Sequence, residues 1–329
     1  MSAVAQFYPS PENPLPPGAE TLRLTARDGT RLRALRAVPP GARGTVVLIG
    51  GRGDFAERYF ETMRDLMARG FAVASADLRG QGGSQRPKGD PLRSRLTSFQ
   101  GYDEDIRTLM EQAVLEHCPR PYIALGHSTG GHVVLRLVRR PSWFSRAVVV
   151  SPLVDVLYGA WPRSLAALLV NGMTLCGLGA AFLPGVARRP LGRADFPGNP
   201  LTSDAWRWQR DSAVLEDAPH LGLGGATFAW LYAARRSLRT VARMGQSAVP
   251  VLIVAAGRDR VVSNEAIRDL ARRVPGLALA FVPEAQHEIL SECDHVRRQF
   301  LAAFDSFVAA DHAPPQLSGP EAPLLLTAR

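Results

Sequence analysis

The chain has 329 residues, 46% of them hydrophobic, which suits one large globular domain with an insertion or two modest domains. Its formal net charge of +9 favours anionic partners, yet Lys88 is the sole lysine and the arginines are scattered in pairs such as Arg139 with Arg140 and Arg272 with Arg273. Lacking a basic stripe interleaved with aromatics, the chain is expected to have no nucleic-acid partner, and its three widely spaced cysteines, Cys118, Cys176 and Cys293, exclude a disulfide framework or a zinc knuckle.

Residues 1–19 read as a proline-rich extension with neither the cationic start nor the apolar core of a secretory signal, so a cytoplasmic location is expected. Residues 20–38 alternate apolar and polar side chains on both sides of Asp28 and Gly29, which predicts a β-hairpin. The rhythm then changes to continuous apolar runs of strand length: TVVLIG (45–50), FAVASAD (71–77), YIALG (122–126), RAVVVS (146–151), VPVLIVAAG (249–257) and LALAFVP (277–283). Strands buried on both faces have this composition. Helix-period segments such as ERYFETMRDLMARG, GYDEDIRTLMEQAVLEH and GHVVLRLVRR lie between them. The alternation predicts an α/β fold, a mostly parallel sheet with helices on both faces.

The alternation stops after Ser151 and resumes near Val249, so residues 20–151 and 246–310 form the core and 152–245 an inserted helical lid. The lid holds four of the five tryptophans, Trp161, Trp206, Trp208 and Trp230, and the apolar stretch LAALLVNGMTLCGLGAAFLPG (165–185). That stretch has the length of a membrane span, but Asn171, four glycines and Pro184 break it into what reads as two short helices, with Leu165, Leu168, Leu169, Met173 and Leu175 as lid core. Residues 311–329, rich in proline, are expected to be a flexible tail.

Gly126, Ser128 and Gly130 form GxSxG between a strand and a helix, the setting of a nucleophile elbow; a serine at such a place is otherwise a common helix cap. A nucleophilic serine needs a base and the base an orienting carboxylate. Asp259 follows one later strand and His287 the next, in the order Ser128, Asp259, His287 used by α/β-hydrolases, with Asp155 as the second choice of acid. Donors for the developing oxyanion are expected from the backbone N–H of Thr129 and from the loop GGRGDFAERY.

Together GGRGDFAERY, DLRGQGGS (77–84), GHSTGG, GRDRVV and HEILSE (287–292) resemble the bacterial lysophospholipase and monoacylglycerol lipase branch of the α/β-hydrolases, over residues 20–308. In that family the first loop reads HGxxxxxxRY. The resemblance therefore implies the backbone N–H of Arg52 as the second oxyanion donor and puts Gly50 where a histidine is usual. NPLTSD and the glycine-rich run before Thr227 also resemble the lysophospholipase group, which implies a lysophospholipid substrate. Monoacylglycerol lipase and general carboxylesterase are the near alternatives.

On this reading Ser128 attacks the acyl carbonyl, His287 moves the proton, Asp259 orients the imidazole, and water hydrolyses the acyl-enzyme without any cofactor or metal. HEILSECDH does not alter that, because Ser291 stands where HExxH requires its second histidine. Gly51, Gly53 and Ala56 with Asp77 also satisfy a GxGxxA dinucleotide fingerprint, which would make the protein an oxidoreductase and leave Ser128, Asp259 and His287 without a role. A non-enzymatic binding protein on a related fold is the remaining alternative. The surplus arginine suits a phosphate headgroup and admits peripheral contact with an anionic membrane surface, such as the inner membrane.

Overall fold

The computed structural model describes residues 5–156, 163–190, 196–310 and 326–327. The expected hairpin is present as antiparallel strands β1 (Glu20–Thr25) and β2 (Arg31–Ala37), joined through Gly29 at φ 81°. Six apolar runs become β3 (Thr45–Ile49), β4 (Ala72–Ala76), β5 (Tyr122–His127), β6 (Phe144–Val150), β7 (Val251–Ala256) and β8 (Leu277–Val282). These six are mutually parallel, and β2 at one side and the short β9 (Leu326–Thr327) at the other pair antiparallel to them. The order across the sheet is β1-β2-β4-β3-β5-β6-β7-β8-β9. This is the α/β-hydrolase fold.

A 3-10 turn over Ala56–Tyr59 leads into α1 (Phe60–Ala68), and α2 (Gln100–Leu109) continues as a π-turn, Met110–Val114. Next come α3 (Thr129–Leu137), then α4 (Arg163–Met173), α5 (Ala205–Asp217) and α6 (Phe228–Ala242) between β6 and β7, then α7 (Asn264–Arg273) and α8 (Asp294–Ala309). Because side chains alternate across a strand, β3 feeds two cores. Val47 and Ile49 join Ile106 of α2 and Val133 of α3 on one face, while Val46 and Leu48 join Phe60 of α1 and Phe304 of α8 on the other. Each such fully buried side chain contributes about 1.5–3 kcal/mol. The chain steps from β3 to β4 on one side and returns to β5 on the other, so the carboxyl ends of β3 and β5 flank the crevice where this class of sheet binds ligands.

The segment between β6 and β7 departs from expectation. Asn171 and Gly172 do not end a helix but lie inside α4, and the break comes later, at Gly177 (φ 81°) within a π-turn, Thr174–Leu178. Ala166, Val170 and Met173, spaced four and three residues apart, form the inward seam of α4, which packs on α6. Leu165, Leu168, Leu169 and Leu175 are not lid core; they face solvent, Leu168 at 70% and Leu175 at 78% exposure. Only Met173 of that set packs inward. No helix among the described residues is long and apolar enough to cross a membrane. The extension ahead of β1 is tied down at two points: Asn13 Nδ2 donates to the Glu57 carbonyl at 2.7 Å and Tyr8 N to the Glu57 carboxylate at 3.1 Å. The tail expectation falls largely outside the described residues, as does Trp161.

Candidate active site

Ser128 stands between the end of β5 and the start of α3 with φ 51° and ψ −113°, a conformation that costs an ordinary residue about 1–3 kcal/mol. Its N–H donates to the Val150 carbonyl at 2.9 Å, pinning the turn to β6. The flanking glycines are sterically required. A Cβ on Gly130 would lie 2.1 Å from the Ile49 carbonyl oxygen, and one on Gly126 would lie 2.6 Å from that of Gly130. The Ser128 side chain does not cap α3, so the capping role is not the one it fills.

Its hydroxyl meets His287 instead. Nδ1–H of His287 donates to Asp259 Oδ2 at 2.8 Å, since the carboxylate can only accept, and this leaves Nε2 as acceptor for the Ser128 hydroxyl at 3.0 Å. Asp259 Oδ1 accepts from the backbone N–H groups of Val261 (2.8 Å) and Val262 (3.0 Å). Burial opposes ionisation of Asp259, but His287 and the two amides outweigh it and lower the pKa below the usual carboxylate value. The carboxylate therefore stays charged where an imidazolium would form. Asp155 is not the acid on this histidine; its Oδ1 accepts from Val156 N at 2.8 Å.

The 50–59 loop lies against the serine. A Cβ on Gly51 would fall 3.3 Å from Ser128 Cβ, so the turn carrying Arg52 abuts Ser128, and Thr129 opens α3, where an N–H has no preceding helical turn to bond. Among the described residues neither the Arg52 nor the Thr129 N–H has an acceptor, so both are free to donate. The place of the usual histidine is filled by other groups: a Cβ on Gly50 would lie 3.0 Å from Tyr59 Cε2. Gly51 N donates to Asp54 Oδ2 at 2.6 Å, Tyr59 Oη donates to the same oxygen at 2.5 Å, and Gln81 Nε2 donates to the Gly51 carbonyl at 2.7 Å.

Sequence reasoning missed this supporting layer, although its members lie inside the quoted motifs. Arg58 joins three carboxylates, Asp54, Asp211 (3.2 Å) and Glu288. Burial works against Asp54, but Arg58 and His127 keep it well below the carboxylate range. Asn199 Oδ1 accepts from the N–H groups of Leu201 and Thr202 and shapes the NPLTSD turn, and that turn folds onto HEILSE, with Thr202 Oγ1 donating to the Ser291 carbonyl at 2.8 Å and Ser203 Oγ to Glu292 at 2.5 Å. The β6–β7 segment is thereby docked beside His287. Asp77 is buried and accepts from Ala56 N (2.9 Å), Gly83 N (2.7 Å) and Arg33 (2.6 Å), so its carboxylate braces the loops and is not presented to a ribose. That removes the dinucleotide reading.

At Ser128 and His287 opens a cavity walled by Leu153, Leu201, Trp208, Leu215, Leu223 and Trp230, with Arg52, Asp54, Arg58, Asp211 and Glu288 as the charged residues of its lining. The arrangement has the parts for acyl transfer: a strained hydroxyl, an oriented base, two free amides and an apolar recess.

Comparison with known proteins agrees with this chemistry. The serine aminopeptidase S33 model matches residues 40–294. Lysophospholipase L2 of Escherichia coli K12 is 29% identical over 283 residues, 82% of this chain and 81% of its own length. A monoacylglycerol lipase of Mycolicibacterium smegmatis is 28% identical over 76% of this chain and 83% of its own. A soluble variant of Saccharomyces cerevisiae monoglyceride lipase, solved with a substrate analogue, superposes with a TM-score of 0.67 at 19% identity, covering 88% of this chain and 94% of that one. With its elbow serine, its sheet and more than half its length matched, the chain belongs to the serine aminopeptidase S33 family of α/β-hydrolases.

Proposed function

We propose that the protein hydrolyses the carboxylic ester of a lipid bearing one acyl chain, with a lysophospholipid as substrate. The observation that carries this reading is the hydrogen-bonded series Asp259, His287, Ser128 at the floor of an apolar recess. Ser128 Oγ attacks the acyl carbon as its proton passes to His287 Nε2. Asp259 stabilises the imidazolium, and the N–H groups of Arg52 and Thr129 hold the oxyanion. His287 then protonates the leaving glycerol oxygen and activates the water that releases the fatty acid. Residues 152–245 act as the lid, whose Trp208, Leu215, Leu223 and Trp230 enclose the acyl chain.

The family takes its name from a peptidase, and the cavity argues against that activity here. An aminopeptidase needs a carboxylate for the substrate's ammonium group, yet Asp54, Asp211 and Glu288, which line the cavity, are all paired with Arg58. Monoacylglycerol is the second reading, favoured by the likeness to the mycobacterial-type lipase. The solvent-facing leucines of α4 and its π-turn, with exposed Arg188 and Arg189 nearby in sequence, support peripheral contact with an anionic membrane. A panel of lysophospholipids, monoacylglycerols and p-nitrophenyl esters tests the assignment. Turnover of single-chain lipid esters, lost together with fluorophosphonate labelling in Ser128→Ala, is the expected result; full activity in that variant overturns it.

A further inference from the structure

The Arg52 side chain is unlike the other guanidinium that lines the cavity. Arg58 is saturated by three carboxylates, whereas Arg52 has none among the described residues: its Nη2 donates to the Gly224 and Gly225 carbonyls at 2.8 and 2.7 Å. Its guanidinium carbon stands 5.1 Å from the centre of the Trp230 ring, and its Nε is buried with no partner among the described residues. A partly buried cation that, among the described residues, is held by carbonyl dipoles and a ring face is under-compensated, and an orphaned donor costs about 1–3 kcal/mol. Burial pulls its pKa down to about 10, which still leaves it charged at neutral pH.

Position makes this more than a packing oddity. On the lipid-ester reading Arg52 N–H meets the oxyanion, so its side chain starts where the scissile carbonyl would bind, and Arg52 lines the cavity. In a lysophospholipid about six bonds separate the acyl carbon from phosphorus, a reach of about 7 Å when extended. An arginine side chain spans a similar distance from its own backbone. We propose that Arg52 is the specificity-determining residue of this site, its guanidinium taking the phosphate of the headgroup while its backbone amide takes the oxyanion. The inference rests on the lipid-ester reading above and adds to it the group that distinguishes a phosphate-bearing ester from a neutral glyceride. One residue thus measures the distance between the reacting carbonyl and the phosphate. Arginine suits this because its planar fork can keep the two carbonyls on one nitrogen and offer the other donors to phosphate oxygens.

The test compares 1-hexanoylglycerol 3-phosphate with 1-hexanoylglycerol, two soluble esters that differ only by the phosphate, in wild type, Arg52→Gln and Arg52→Lys. Wild type is expected to have the higher kcat/KM for the phosphate ester. Arg52→Gln should cut that preference about 10- to 100-fold, mainly through KM, as loss of one charge-assisted contact predicts, and Arg52→Lys should restore part of it. If both esters lose activity equally, Arg52 only anchors Gly224 and Gly225, and the proposal fails while the ester-hydrolase reading stands. If wild type cleaves neither ester, the lipid-ester reading falls and takes this one with it. Protection of Ser128 from fluorophosphonate supplies a readout free of turnover. Glycerol 3-phosphate should protect wild type and not Arg52→Gln, and equal protection by inorganic phosphate with no ester preference marks a free-anion site and overturns the headgroup role.

Discussion

His127 Nε2 lies 3.3 Å from the backbone carbonyl of His287, so the residue before Ser128 donates to the residue whose imidazole meets the Ser128 hydroxyl. The other side of the His127 ring faces Tyr59 Oη at 3.1 Å and Asp54 Oδ2 at 3.5 Å. Burial alone would lower the pKa of His127, but the Asp54 carboxylate raises it above the ordinary histidine value. The ring therefore ties the Ser128 turn, the 50–59 loop and the His287 loop into one polar unit. Replacing it by phenylalanine keeps the volume and removes the bonds. His127→Phe is expected to lower kcat about 10- to 100-fold with KM changed little, because a positioning residue acts on geometry in the transition state. Slow fluorophosphonate labelling should persist; unchanged kcat would show that the 3.3 Å contact has no bearing on the base.

The exposed leucines bear on membrane contact. Leu168 and Leu175 bury almost nothing in the protein, so a charge at either should change stability by less than about 0.5 kcal/mol. Residues 156–194 contain no Asp or Glu, so a single added carboxylate is the first in that stretch. Leu168→Asp and Leu175→Asp are each expected to reduce binding to phosphatidylglycerol vesicles about tenfold or more while leaving hydrolysis of a soluble ester unaltered. Sedimentation with vesicles measures the first and a p-nitrophenyl ester the second. Undiminished sedimentation would remove this face as the contact.

The strands were legible because a strand buried on both faces has no polar alternation to confuse it: β3, β4, β7 and β8 fall within their apolar runs, β5 runs one residue past its own, and β6 starts two residues before its own. The positions of Ser128, Asp259 and His287 were legible because all three follow strand ends, and parallel strands bring their carboxyl ends to one rim. Side-chain partnerships across long intervals were not. Arg58 and Glu288 are 230 positions apart, and nothing in their local sequence announces that they meet. The exposed face of α4 misled for a different reason: apolar periodicity predicts burial, and only the docking of α6 decides which side of an almost wholly apolar helix is covered.

Gly50 poses a sharper question, because the resemblance would place a histidine there. A Cβ at this position would lie 3.0 Å from Tyr59 Cε2 and 3.3 Å from Asp54 Cβ, within the cluster that holds Gly51 N. Restoring the family residue should therefore damage the site. Gly50→His is expected to cost about 1–3 kcal/mol of stability through overpacking and to lower kcat by displacing the Gly51–Arg52 turn. Urea denaturation and steady-state kinetics on one ester check both parts. A variant as stable as wild type and more active would mean that Tyr59 yields easily and that Gly50 is a loss, not an accommodation.

His132 supplies a pH prediction independent of catalysis. It lies on α3, fully buried, with Phe99 edge-on at 5.4 Å between ring centres and Nε2 at 2.6 Å from Ser237 Oγ of α6. Arg136 donates to the same oxygen at 2.9 Å, so the Ser237 hydroxyl proton points to a neutral imidazole. Burial, reinforced by the Arg136 charge, depresses the His132 pKa from 6.5 to about 3. Between these values the unfolded chain binds a proton that the folded one refuses. The stability linked to His132 is then complete above pH 6.5 and declines as pH falls toward 3, by at most about 1.4 kcal/mol per pH unit. Asp105, pushed up to about 7 by burial, works in the opposite direction, but it is common to wild type and variant and cancels in their difference. His132→Gln should weaken the acid dependence of the urea midpoint between pH 7 and 4.5 while lowering stability at pH 7, where the native ring is well packed. Parallel pH profiles for the two proteins would mean that the imidazole takes up its proton without unfolding, and that the α3–α6 contact opens before the sheet does.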